Sequence, residues 1–139
     1  MPDPFDFSRF LSAQSPVIEQ VREELRSGRK RSHWMWFVFP QIAGLGHSAT
    51  AQRYAIASLE EARAYLAHET LGPRIKECTA LVVAVEGRGV GEIFAYPDDL
   101  KFHSSMTLFA RAAPDEPVFR AALKKYFGGA EDRATLDRI

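Results

Sequence analysis

The densest collection of reactive side chains in this sequence is "DDLKFHSSMT", residues 98–107, which gathers Asp98, Asp99, Lys101, His103, Ser104, Ser105 and Thr107 into ten positions. At helical spacing Lys101 shares a face with Ser105, and Asp99 with His103. An aspartate beside an imidazole fixes its tautomer, and an ammonium beside a hydroxyl supplies a donor for proton transfer. The same residue types also serve helix capping by aspartate and close helix contact through small side chains.

Two further segments carry more polar punctuation than packing requires. "SGRKRSHWMWFVFPQ" sets Arg29, Lys30, Arg31 and His33 against Trp34 and Trp36, and ends on Pro40 and Gln41. A cationic rim beside aromatic platforms suits a base and a phosphate. The alternative is a solvated helix C-terminus whose dipole favours basic residues. "GLGHSAT" offers Gly44 and Gly46 for close backbone approach, then Ser48 at a helix start, an arrangement able to turn amide N–H groups toward an anion. A tight turn accounts for the two glycines equally well, and no complete dinucleotide or phosphate-loop fingerprint is present. Burial of the tryptophans would require a partner for at least one indole N–H, for which Gln41 is the nearest candidate.

These segments need elements to hold them, and hydrophobic spacing supplies helices. Asp6 caps a short helix with Phe7, Phe10 and Leu11 on one face; Ser15–Pro16 opens a second, with Val17, Val21 and Leu25 repeating every four residues until Gly28. Trp34 to Phe39 has no periodicity and is expected to be buried. Ser48 caps a helix through Ile56, and Ser58 with Glu61 has capping-box spacing ahead of Leu59, Ala62, Tyr65 and Leu66. Leu71, Ile75, Cys78, Val82 and Val85 form a helix–helix seam that starts near Pro73 and stops at Gly87, with a strand at "LVVAV" as the competing reading. A glycine-rich connection leads to Asp98 or Asp99 as the cap of a helix carrying Phe102, Met106 and Phe109. Asp115 begins the next, with Phe119, Leu123 and Tyr126, and Asp132 caps a last turn through Leu136. With no alternating segments, the expected fold is all-α: a compact orthogonal bundle of about seven or eight helices, in one globular domain over residues 1–139.

Composition narrows the partners. Eighteen basic and eighteen acidic residues cancel, so no global field draws the chain onto nucleic acid. The single cysteine, Cys78, lies on an apolar stripe and suits a reducing compartment. The acid- and proline-containing start "MPDPFDFSRF" is unlike a secretory signal, and the longest apolar aromatic run is far short of the roughly 20 residues that span a bilayer. A cytoplasmic location is expected, with no membrane partner. Four scattered histidines and one cysteine show no metal-ligand spacing, no cofactor is called for, and the Gly-x-Ser-x-Gly elbow is absent.

Taken together, "ELRSGRKRSHWMWFVFPQIAGLGHS", "YAIASLEEARAYLAHETLGPRIKE" and "DDLKFHSSMTLF" closely resemble the bacterial domain-of-unknown-function family numbered 1810, from about Phe7 to Leu136. Some members of that family are labelled calpastatin, which a compact helix-rich sequence does not resemble. Two departures from its usual pattern are Glu69, where proline commonly follows the histidine, and Ala95, where glycine is common. The order of an early aromatic segment, a mid-chain "HETLGPRI" and a late aspartate segment is also similar to helical domains linked to ADP-ribose and riboflavin-pathway N-glycosidase chemistry. That likeness implies a carboxylate near an anomeric carbon, a role for Asp99, and a donor near the leaving nitrogen, a role for Lys101 or His33.

The leading expectation is a pocket for a phosphorylated or nucleotide-like small molecule, with N-glycosidase-type hydrolysis as its chemistry. Asp99, Lys101 and His33 are the catalytic candidates; Trp34, Trp36, Gln41, Gly44, Gly46, Ser48, Ser104 and Ser105 are the ligand-binding ones. The alternative is a non-catalytic module that meets a protein or nucleic acid through Trp34–Phe39. A third reading makes every motif structural. A concave cleft favours the first, and a flat apolar face the second.

Overall fold

The computed structural model describes residues 4–139; Met1, Pro2 and Asp3 of the opening segment lie outside them. Ten helices occur among the described residues: α1 (Ser8–Gln14), α2 (Ile18–Arg26), α3 (Met35–Val38), α4 (Ala49–Arg53), α5 (Leu59–Ala67), α6 (Leu71–Ala84), α7 (Val90–Phe94), α8 (Asp98–Ala112), α9 (Pro117–Phe127) and α10 (Arg133–Leu136). The fold is all-α. Its only β-type pairing among those residues is an isolated parallel bridge between Ile42 and Ile56. The helix count exceeds seven or eight because single turns form at 35–38 and 90–94, where apolar periodicity has too few residues to register.

α8 is the axis of the molecule. Every residue from Ser104 to Ala110 is buried, and α5, α7, α9 and α10 pack around it. A helix buried on all sides cannot be amphipathic, so its hydroxyls must be satisfied within it or by close neighbours. Thr107 Oγ1 donates to His103 O at 2.9 Å, and Ser104 Oγ shares its one proton between Leu100 O at 3.1 Å and Asp132 Oδ2 at 2.9 Å. Phe102 meets Phe39 edge-on at 5.1 Å and stacks on Phe94 at 4.7 Å, which ties α8 to both short aromatic turns.

The seam on α6 is as spaced: Leu71, Ile75, Cys78, Val82 and Val85 are all buried. "LVVAV" is largely helical rather than extended because α9 satisfies the carbonyls at its end. Tyr126 donates its hydroxyl to Val82 O at 2.5 Å, and Lys125 Nζ donates to Val83 O at 2.5 Å and to Val85 O. Gly28 closes α2 at φ +75°, with Gly28 N bonded to Leu25 O and Arg29 N to Glu24 O, the paired bonds of a Schellman end.

Several boundaries differ from expectation. Phe7 rather than Asp6 is the N-cap of α1; Asp6 takes φ +51° and its Oδ1 accepts from Ser8 Oγ. Pro97 precedes α8, which places Asp98 and Asp99 in its first turn, where negative charge complements the helix dipole. α9 begins at Pro117, two residues after Asp115, because proline at the first helical position loses no intrahelical bond. Ser48, Ser58 and Asp132 cap α4, α5 and α10 as spaced. Among the described residues no helix is long and apolar enough to cross a membrane.

Candidate functional site

The stretch that opens on basic residues is organised by Glu24, whose signal in the sequence is only that it precedes them by one helical turn and a glycine. Glu24 is 3 % exposed. Its Oε1 accepts from Arg31 N (2.7 Å), Ser32 N (3.1 Å) and Trp34 Nε1 (3.0 Å), and its Oε2 from Ser32 Oγ (2.6 Å) and Gln20 Nε2 (3.0 Å). Desolvation alone would raise this carboxyl; the donors from Ser32, Arg31, Trp34 and Gln20 overcome it and hold the group down at about 2. Glu24, not Gln41, is therefore the partner of the buried indole. Trp34 and Phe39 are interior residues at 1 % and 0 % exposure, whereas Trp36 and Phe37 are half-buried.

Beyond Pro40 the chain runs past Gln41 to Gly46 as a loop pinned at its base. Ile56 N donates to Gln41 O (2.9 Å) and Ala43 N to Ile56 O (2.8 Å). This loop separates two recesses. The smaller, about 110 Å³, is walled by Trp36, Gln41, Tyr54 and the 42–46 backbone, with Ala51 and Gln52 from α4. The larger, about 280 Å³, lies between Gln41, Leu45 and Gly46 on one side and Lys101, His103, Ser104 and Asp132 on the other. Gln41 and Gly46 line both. Among the described residues the Gln41 side chain makes no hydrogen bond, so its amide is available to the cleft.

Lys101 joins the two recesses. Its Nζ stands 4.9 Å from the centre of the Trp36 ring and 3.3 Å from Asp98 Oδ1, while Asp98 Oδ2 is held at 2.8 Å by Lys30. Lys30 lies in turn 5.3 Å from the Trp34 ring. Asp98 is thus the carboxylate that sets the position of Lys101. On the same wall, Asp132 Oδ2 accepts from Ser104 Oγ (2.9 Å), Thr135 N (3.2 Å) and Thr135 Oγ1 (2.6 Å). Its Oδ1 carries no hydrogen bond among the described residues, which leaves one carboxylate oxygen for the cleft.

The structure brings Trp36, Gln41, Gly44, Gly46, Lys101 and Ser104 to these recesses. It places the other singled-out residues elsewhere. Asp99 Oδ1 accepts from Leu100 N in its own helical turn. His33 is exposed and lines none of the recesses described here. Trp34 is in the core; Ser48 accepts from Ala51 N as the cap of α4. Ser105 is fully buried, with no partner for its hydroxyl among the described residues. His103 stacks on Phe127 at 3.9 Å, with Nε2 2.8 Å from Ala130 O, rather than on Asp99. Sequence spacing missed Asp98, Asp132 and Tyr54 as site residues, because their approach depends on α8, α10 and α4 converging on the 41–46 loop.

Cys78 stands apart from all of this. Burial pushes its thiol up to about 12, so the thiolate form is suppressed at neutral pH. No cluster of three metal-ligating side chains occurs among the described residues.

The whole arrangement has a solved counterpart. A conserved hypothetical protein, Rv1873 from Mycobacterium tuberculosis, known from a crystal structure at 1.38 Å, is 63 % identical and superposes with a TM-score of 0.96, covering 97 % of this chain and 96 % of that one. No curated protein matches. The family model described as "Protein of unknown function (DUF1810)" matches residues 4–139, so the chain belongs to the DUF1810 family.

Proposed function

We propose that the chain binds a small phosphorylated or nucleotide-like molecule in the cleft between the 41–46 loop and the N-terminal half of α8. The observation that carries this reading is the Lys101 ammonium beside the half-buried Trp36 ring, with the free Gln41 amide on the same walls. Trp36 and Tyr54 both wall the smaller recess, where stacking and the Gln41 amide would select heterocycles. Lys101 then faces the charged part of the ligand. Hydrolysis of an N-glycosidic bond here would draw its carboxylate from Asp132 rather than Asp99, with Lys101 as the nearby donor. Burial of Trp34 and Phe39 leaves Trp36 and Phe37 as the partly exposed aromatics of the Trp34–Phe39 segment, which supports the cleft over a broad macromolecular contact.

The test is thermal stability against a panel of nucleotides, ADP-ribose and sugar phosphates. A ligand at ten times its Kd stabilises the folded state by about 1.4 kcal/mol, a rise of about 4 °C for a chain of this size. Lys101→Met and Gln41→Ala should fold normally and lose that rise. A panel with no responsive member, or a Lys101→Met variant that responds like the parent, would overturn the reading.

A further inference from the structure

Adjoining the same loop is a third recess, of about 490 Å³, lined by Gly44, Leu45, His47, Ala134, Asp137 and Arg138, of which Leu45 and Ala134 also line the recess beside Lys101. Its cation is Arg138, an exposed side chain one residue from the end of the described chain. Gly44 has φ +98°, and a Cβ placed there would lie 2.3 Å from Arg138 Nη1 and 2.8 Å from Cζ. The guanidinium therefore lies directly against residue 44, where the left-handed backbone favours glycine. Among the described residues Arg138 has no hydrogen bond or ion pair through its side chain. The acidic neighbour in this recess, Asp137, is committed to Arg133 at 3.1 Å. His47 faces the same recess with its ring unpaired, its carbonyl being taken by Gln52 Nε2 at 2.9 Å. A guanidinium with its fork of donors free and a second nitrogen donor, beside a carboxylate that is ion-paired with Arg133, make a local cationic hollow on a chain whose formal net charge is +0.

We infer that this recess is a phosphoryl-binding site, with Arg138 as its principal ligand and His47 as a second donor. A planar guanidinium matches two oxygens of a phosphate at once, a geometry an isolated ammonium lacks. The inference is independent of the cleft beside Trp36, since Lys101 takes no part in it. The class of ligand is a small molecule bearing a terminal phosphate, a monoester or the end of a pyrophosphate.

The experiment is an amide and Arg Nε NMR titration with inorganic phosphate, chloride being adjusted to hold ionic strength constant. The expected result is saturable shifts at Gly44, Leu45, His47 and the Arg138 side chain. They weaken at least tenfold in Arg138→Gln, weaken less in Arg138→Lys and are unchanged in Lys101→Met. If Arg138→Gln does not give a folded spectrum, His47→Gln is read instead and should weaken the same shifts. Shifts that grow linearly without saturation, or that persist at full affinity in the Arg138 or His47 variant, would overturn the assignment. Loss of phosphate binding in Lys101→Met would move the anion to the Trp36 cleft and equally overturn it.

Discussion

Replacing Glu24 by glutamine should remove a specific, pH-dependent part of the stability. The carboxyl is held at about 2 against an ordinary 4.5, and each pH unit of that gap is worth about 1.4 kcal/mol, so its ionised form adds about 3 kcal/mol to folding. Because the folded value is depressed, this contribution is fully present above about 4.5 and fades as pH falls toward 2. Glutamine retains the shape and one oxygen for Arg31 N, Ser32 N and Trp34 Nε1. Its NH₂ then replaces the oxygen that accepts from Gln20 Nε2 and sets donor against donor. Glu24→Gln should cost about 2–3 kcal/mol at pH 7, a fall in Tm of about 8 °C, and nearly nothing near pH 2. Urea unfolding of both proteins at half-unit steps from pH 7 to pH 2 reads this directly, the two stability curves converging at the acid end. Parallel curves across pH 4.5 to 2 would refute the reasoning, because they would mean that some other carboxylate governs acid unfolding.

Two backbone positions give predictions of opposite sign. A Cβ at Gly72 would sit 2.0 Å from Leu66 O and 2.9 Å from its carbonyl carbon, so Gly72→Ala must part the end of α5 from the start of α6. A loss of about 3 kcal/mol is expected by chemical denaturation, and a loss below about 1 kcal/mol would show that the junction yields freely. Ala95 adopts φ +63°, ψ 162°, a conformation nearly restricted to glycine that costs a side chain about 1–3 kcal/mol. After the entropy of a freer unfolded chain is deducted, Ala95→Gly should raise stability by about 1 kcal/mol, and an unchanged or lower urea midpoint would count against strain there.

Long helices were legible because their periodicity runs over several turns: the α6 seam from Leu71 to Val85 and the α8 stripe of Phe102, Met106 and Phe109 are buried as spaced. Caps were legible where the hydroxyl or carboxylate acts within three residues, as at Ser48, Ser58 and Asp132. Less could be read where a residue's role is set by a distant element. The polar content of "DDLKFHSSMT" splits by helical face into Lys101 and Ser104 on the cleft, a backbone-bound Asp99, and the enclosed hydroxyls of Ser105 and Thr107. No local pattern assigns that division. Glu24 was hidden for the same reason, since four of its five donors come from Arg31, Ser32 and Trp34, which the Schellman turn at Gly28 folds back over it.

The two tryptophans lie two positions apart yet occupy unlike media. Trp34 packs on Phe39 at 6.2 Å with its N–H on an interior carboxylate, and Trp36 sits at the cleft wall 4.9 Å from an ammonium. Their emission therefore separates into a component sealed from aqueous quenchers and one open to them. The molecule carries its own pair of optical gauges: Trp34 reports the integrity of the Glu24 centre, and Trp36 would report occupancy of the proposed cleft without any label.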